Sequence, residues 1–202
     1  MEYQLGRTEQ LDSLEKGKRG ARFMSRMRQL FEIDLQDYEE GDCVFRRPSA
    51  RGIIFGDDQK LALVYSKNEK YFKFPGGGIR GDEDKKEALI REVREEVGLI
   101  VIPESIREFG SVMRRQKSNI SPHTIFEQEN FYYLCKAENQ IVEQELDHYE
   151  AEAGFVLRYV DLDEAIRVNG AYKSEDNFNE IMIKRETKVL QMIKNEFYSS
   201  IA

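Results

Sequence analysis

Glu92, Glu95 and Glu96 are spaced i, i+3, i+4, so a helix through them sets all three carboxylates on one side. Like charges at this spacing cost about 0.2–0.5 kcal/mol per pair on an exposed helix. They also fall in the last two turns of the predicted helix, where the macrodipole disfavours anions by a further ~0.3–1 kcal/mol each. A cation relieves both penalties, and clustered hard oxygen donors suit Mg²⁺ or Mn²⁺ rather than zinc. Alone, the string Arg91-Glu92-Val93-Arg94-Glu95-Glu96 also fits an ordinary solvated face on which the arginines neutralise the acids. The run Gly76-Gly77-Gly78 shifts the balance, because glycine lets a backbone approach a ligand and leaves its carbonyls and N–H groups unshielded. A Gly-rich turn feeding a helix start suits phosphates. Gly76-x-Gly78-x-x-Gly81 satisfies the dinucleotide-binding expression, but that reading needs an acid about twenty residues on at the end of a second strand. Glu95 and Glu96 fall inside a helix instead, and no GxxxxGK[ST] loop exists.

The elements that must hold these groups follow from hydrophobic pattern. A helix fits 84–97, with Leu89, Val93 and Val97 as its anchor and Gly98 as its stop. Ahead of it, strands fit 52–55 and 61–66 around the turn-rich Gly56-Asp57-Asp58-Gln59, and Tyr71-Phe72-Lys73-Phe74 forms a third, ended by Pro75. Further strands are predicted near 99–102, 108–114, 126–136 and 154–160, then a short capped helix at 161–166. A last helix spans about 176–198, with Phe178, Met182, Glu186, Leu190, Ile193 and Phe197 on one face. Glu186 breaks that apolar face and needs a partner; adjacent Arg185 supplies one in a structural role. Upstream, Phe23, Met24, Met27, Leu30 and Phe31 follow a helical spacing with Arg22, Arg26 and Arg28 outside it. This predicts a helix packed on the main domain or a partner subunit, ahead of a basic surface for anionic ligands. Mixed strands and helices in this order make an α/β or α+β domain with helices on a sheet.

Composition narrows the function classes. The chain has 202 residues and a net charge of −7, with 40% hydrophobic residues, enough for one sizeable core. The acidic balance argues against a dedicated nucleic-acid coat protein, so no nucleic-acid partner is expected. The longest apolar runs, such as residues 61–65, fall far short of a membrane span, and no apolar signal region follows Met1. Cys43 and Cys135 form no CxxC, which excludes a disulfide scaffold and fits a reduced cytoplasmic location. His123 and His148 are the only histidines. Glu145-x-x-His148 has the spacing of half a di-iron site, but one such pair is not enough, so His148 reads as a surface residue. Phe131, Tyr132 and Tyr133 read as core before base-stacking platform.

The segment 77–99 resembles the signature of the Nudix hydrolases, G-x5-E-x7-R-E-U-x-E-E-x-G-U, where U is a bulky aliphatic. Gly77, Glu83, Arg91, Glu92, Val93, Glu95, Glu96, Gly98 and Leu99 meet every fixed position at the right spacing. Phe74-Pro75-Gly76-Gly77-Gly78 is similar to the usual lead-in, and residues 158–165 resemble the late strand and short helix. The resemblance implies a Nudix-like α/β/α sandwich with a mixed sheet over 46–202, preceded by a helical N-terminal extension over 1–45. It implies hydrolysis of a phosphoanhydride (pyrophosphate) bond in a nucleoside-diphosphate-linked small molecule with Mg²⁺ or Mn²⁺ as cofactor, and it leaves room for a homodimer. Carried over by motif position, Glu92 and Glu96 are metal ligands, Glu95 is ligand or base, and the Gly77 carbonyl is a further ligand. Arg91 orients Glu92, and Glu83 is either structural or reaches the metal through water. Arg47, Arg51 and Gly78 are candidate substrate contacts. Candidate bases outside the motif are Glu127, Glu129, Glu143, Glu145, Glu150 and Glu152, the last four in an acidic run that reads as a solvated loop. A regulator that binds nucleotides without cutting them is the rival on this fold. An isomerase using Cys135 is another, although strand cysteines are mostly inert packing.

Overall fold

The computed structural model describes residues 27–198. Strands β1 (Gln29–Asp34), β2 (Cys43–Arg46), β3 (Ser49–Ile54), β6 (Gly76–Gly78), β8 (Arg107–Lys117) and β9 (Thr124–Cys135) make one mixed sheet. Its order is β1-β8-β9-β3-β6, with β2 also on β9. A second sheet joins β4 (Leu61–Ser66), β5 (Tyr71–Lys73) and β11 (Phe155–Val160), and β7 (Leu99–Val101) pairs with β10 (Ala137–Ile141). The helices are α1 (Lys85–Val97), α2 (His148–Ala153), α3 (Leu162–Ala171) and α4 (Asn177–Tyr198).

The two-residue period of β9 splits the core. Phe131, Tyr133 and Cys135 pack in one cluster with Leu89, Val93 and Val97 of α1. Tyr132 and Leu134 face the other way, toward Val189, Leu190 and Ile193 of α4. The sheet is therefore sandwiched between helices, as expected, and the three aromatics are core. β2 and β3 run along β9 in one continuous register, Cys43 opposite Thr124 and Ser49 opposite Asn130. The interruption falls at Arg47-Pro48, where proline has no N–H to add to the ladder.

The predicted helix around Leu30 and Phe31 is a strand instead. β1 pairs parallel with β8, from Gln29 opposite Ser111 to Asp34 opposite Arg115. A bare Gly110 makes this possible, because a Cβ there would run into the Leu30 side chain. Adjacent apolar residues fit either period, and the open edge of β8 decides between them. Of the rest of that predicted helix face, Met27 precedes β1 and packs against the core, and Phe23 and Met24 lie outside the described residues. Elsewhere the expected elements appear with small shifts, and the acidic run before Gly154 contains the unexpected helix α2. No described helix is long and apolar enough to cross a membrane.

Candidate active site

Helix α1 is built to carry charge on its inner side. Asp84 caps its start, accepting from the Lys86 N–H at 2.8 Å, and Gly98 ends it in the left-handed region at φ 69°. Glu92 and Glu96 are buried beside Val93 and Val97, with Glu96 only 1% exposed. Strand β6 lies over them, paired antiparallel to β3 with Gly77 opposite Ala50. The glycines of β6 are needed for this approach. A Cβ on Gly76, which has φ 133°, would strike the Ala50 carbonyl, and one on Gly77 would strike the Glu92 carboxylate.

The carboxylates are held by a definite network. Arg91 grips Glu83 with two bonds of 2.7 and 2.8 Å, and also donates to Glu92 at 2.5 Å, Glu95 at 3.1 Å and the Gly78 carbonyl at 3.1 Å. Hydrogen bonds from Arg91 bring the Glu83 carboxyl down to about 2. Burial pushes the Glu92 carboxyl up; Arg91 opposes this, and Glu96 adds to it. Glu96 accepts from Lys73 at 2.5 Å and from the Gly76 N–H at 2.8 Å. Glu95 turns toward the rim, where Arg80 stands 3.5 Å away.

The cleft holding these groups has a volume of about 690 Å³ and includes Glu92, Glu95, Glu96 and residues 76–78 along its walls. The acidic run closes one side of it. Glu145 N–H donates to the Glu95 carbonyl at 2.8 Å, and the Gln144 side chain donates to the Glu96 carbonyl. Residues 144–145 thus satisfy carbonyls at the end of α1 that a helix leaves unpaired. Helix α2 follows, capped by Asp147, and turns Glu150 into the cleft beside Glu96. Burial, then the Glu96 charge, pushes the Glu150 carboxyl up to about 7. Of the other proposed bases, Glu145 also lines the cleft but is paired with Arg94 at 2.7 Å. Glu127 is held by Arg46 and Arg115, and Glu129 by Ser111; both line a separate hollow. Glu143 and Glu152 are exposed.

The substrate candidates separate. Arg47 lies exposed at the cleft, its guanidinium beside Gly78, and pairs with no acid among the described residues. Arg51 is buried and donates to the carbonyls of Gly76 and Phe74, so it also braces the glycine strand. Its Nε has no hydrogen-bond partner among the described residues. Glu186, fully buried, accepts from the Phe74 N–H at 2.8 Å, the Tyr132 hydroxyl at 2.9 Å and Arg185 at 2.8 Å. It ties α4 to the strand leading into Gly76, the structural role expected. Sequence reading missed two cations on this cleft, Lys73 and Arg114; Arg185, expected as the partner of Glu186, lines it as well. His148 is a surface residue near Glu152. Burial pushes the Cys135 thiol up to about 12, which leaves the isomerase reading without its thiolate.

Among the described residues, no three His, Cys, Asp or Glu side chains form a finished cation cage. The donor set nonetheless fits a hard divalent ion. Glu92 and Glu96 sit close enough to feel one another, their charge balanced by Arg91 on one and Lys73 on the other.

The NUDIX domain model matches residues 45–182, which include every wall of this cleft except Arg185. An RNA pyrophosphohydrolase of Thioalkalivibrio sulfidiphilus is 25% identical over 78% of this chain and 82% of that protein. One from Halorhodospira halophila is 42% identical over 26% of this chain, a span that is only 29% of its own length. Among solved structures, a MutT from Aliivibrio salmonicida and Vibrio cholerae is similar at 19% identity and TM-score 0.44, over 72% of this chain and 99% of that one. A NUDIX hydrolase from Nitrosomonas europaea is similar at 19% identity and TM-score 0.46, over 70% of this chain and 89% of that one. With more than half of its length matched by the family model, and the whole signature lying on the cleft or its supports, the chain belongs to the NUDIX family and is a hydrolase of phosphoanhydride bonds.

Proposed function

We propose that this protein is a cytoplasmic enzyme that hydrolyses the phosphoanhydride bond of a nucleotide-type substrate with Mg²⁺ or Mn²⁺. The observation that carries this is the meeting of Glu92, Glu96 and the Gly77 backbone at one cleft wall, with Glu150 facing them from α2. Hydrolases of this family generally need a divalent metal. Glu92, Glu96 and the Gly77 carbonyl would hold it, and Glu95 would add a donor from the rim. When bound, the ion neutralises phosphate oxygens and lowers the pKa of a coordinated water.

The chain's own residues do the rest. Arg91, itself anchored on Glu83, orients the Glu92 carboxylate before a substrate arrives and opposes the upward push of burial on it. Glu150 is the acid outside the motif that the fold brings against Glu96, which makes it the better base than Glu95, whose oxygen is engaged by Arg91. Arg47 and Gly78 at the mouth are placed to meet substrate phosphates, whereas Arg51 acts from beneath as a brace.

The relatives reported above are RNA pyrophosphohydrolases, so RNA belongs in the substrate panel beside free nucleotides, although the acidic chain favours the smaller substrates. The test is turnover of that panel with Mg²⁺, with Mn²⁺ and with chelator. Activity should need metal and fall at least ~100-fold in Glu96→Gln, the scale of losing metal-based charge stabilisation. Turnover untouched by Glu96→Gln would overturn the metal assignment.

A further inference from the structure

The cleft is acidic at one end and basic at the other. At the basic end Arg114 and Arg185 are each only 1% exposed. Arg185 has a counter-charge in Glu186, the same carboxylate on which the Arg51 charge acts. Arg114 makes no salt bridge among the described residues. Its Nε donates to the Gln116 amide oxygen at 2.7 Å and one terminal nitrogen to the Phe178 carbonyl at 2.9 Å, both neutral acceptors. Asp176, whose charge acts on it, forms no salt bridge with it and accepts from the Phe178 N–H at 2.9 Å at the start of α4. Glu186 thus answers Arg185 and Arg51, and Arg114 has no part in that pairing.

The surroundings of Arg114 also restrict what it can bind. The Phe178 ring lies 4.0 Å from the guanidinium carbon and the Phe126 ring 5.7 Å, so aromatic rings occupy the space around the guanidinium plane. With Nε and one terminal nitrogen engaged, the in-plane donor left for a ligand is the second terminal nitrogen, which has no acceptor among the described residues. Gln128, directly across the strand pair from Arg114, holds Arg185 at 3.1 Å. The two guanidinium groups repel one another, and burial with that repulsion brings Arg114 down to about 9. A buried cation without a counter-ion is unfavourable unless a ligand completes it.

We propose that Arg114 and Arg185, with Gln128 between them, bind a phosphate group of the substrate that is distinct from the one held at the carboxylates. A planar guanidinium matches phosphate oxygens edge-on, and only an anion corrects the charge excess; a neutral base would leave it. Arg51 bridges the two ends, since its charge acts on both Glu92 and Glu186. The substrate's phosphates would then span from the carboxylate wall to the arginine wall. This rests on the hydrolase reading for its substrate, but the site itself can be tested without turnover.

The experiment is calorimetric titration of the full-length chain with inorganic pyrophosphate and with adenosine, in chelator, followed by kinetics with metal. Pyrophosphate should bind the metal-free protein about 10- to 100-fold more weakly in Arg114→Gln, the scale of one charged hydrogen bond. Arg114→Lys should fall between, and Glu96→Gln should bind no more weakly than wild type. With metal, Arg114→Gln should raise KM more than it lowers kcat. Equal pyrophosphate affinity in wild type and both Arg114 variants would overturn the proposal. So would adenosine binding that suffers as much as pyrophosphate, since that makes the pocket a base site. Arg114-dependent pyrophosphate binding with no turnover of any phosphoanhydride would sink the hydrolase reading and leave the phosphate site standing.

Discussion

Replacing Gly77 with alanine tests the site through its geometry alone. The Gly77 backbone is in an ordinary strand conformation, so alanine is tolerated there locally. The added methyl has one obstacle, the Glu92 carboxylate, and its three nearest neighbours are all atoms of that group. A side-chain end can swing away, so the fold loses little: the expected change in stability is within about 1 kcal/mol, or about 2–4 °C in Tm for a chain of this size. Glu92 cannot swing freely without leaving Arg91, which holds it at 2.5 Å. A shift of about 1 Å in a catalytic group costs about 10²-fold, so kcat should fall by about that factor. The cycle with Glu92→Gln makes the reasoning specific. If the methyl acts by displacing Glu92, the double variant is no slower than Glu92→Gln alone, because the group being displaced has already lost its function. Steady-state kinetics on the four proteins, with melting curves beside them, gives the answer. Full activity in Gly77→Ala, or two losses that simply multiply, would refute the claim that Gly77 is bare to make room for Glu92.

Two further outcomes follow from the carboxylate network. Glu150→Gln should lower kcat about 10²-fold with KM changed only a few-fold, as expected for loss of a proton acceptor; an unchanged kcat removes Glu150 from the reaction. Glu83 titrates at about 2 in the folded chain against 4.5 ordinarily, so its ionised form adds stability that is fully present above pH 4.5. That stability drains away as pH falls from 4.5 toward 2. The gap in Tm between wild type and Glu83→Gln should therefore be constant near neutrality and close across that window; a gap that persists to pH 2 contradicts the Arg91 pairing.

What the sequence could and could not reveal divides along physical lines. Helix α1 was legible because its information is local: the capping Asp84, the anchor Leu89-Val93-Val97 and the stop at Gly98 lie within the helix or beside it. The glycine run reads in sequence as a turn, yet it is a strand, because its pairing with residues 49–51 is a contact at distance. The same limit hid β1, whose Leu30 fits only because Gly110, eighty residues on, lacks a side chain. Glu150 appeared as one acid among six, since its sequence surroundings are solvated and only the strap onto the α1 carbonyls turns it inward. Arg114 left a signal that went unread. Val112, Arg114 and Gln116 form one alternating row on β8, beginning at a fully buried valine and becoming polar while staying buried. A core row that turns cationic this way marks an inward-facing charge, and such a charge needs either a buried acid or a visiting anion. Glu186 is already taken by Arg185, so the sequence's own shortage of a second inward acid on α4 leaves the anion. That is how a chain of net charge −7 can present a basic pocket to a polyanion: its acids gather at the carboxylate end of the cleft and on the outside, and the other end keeps Arg114 buried with no salt bridge among the described residues.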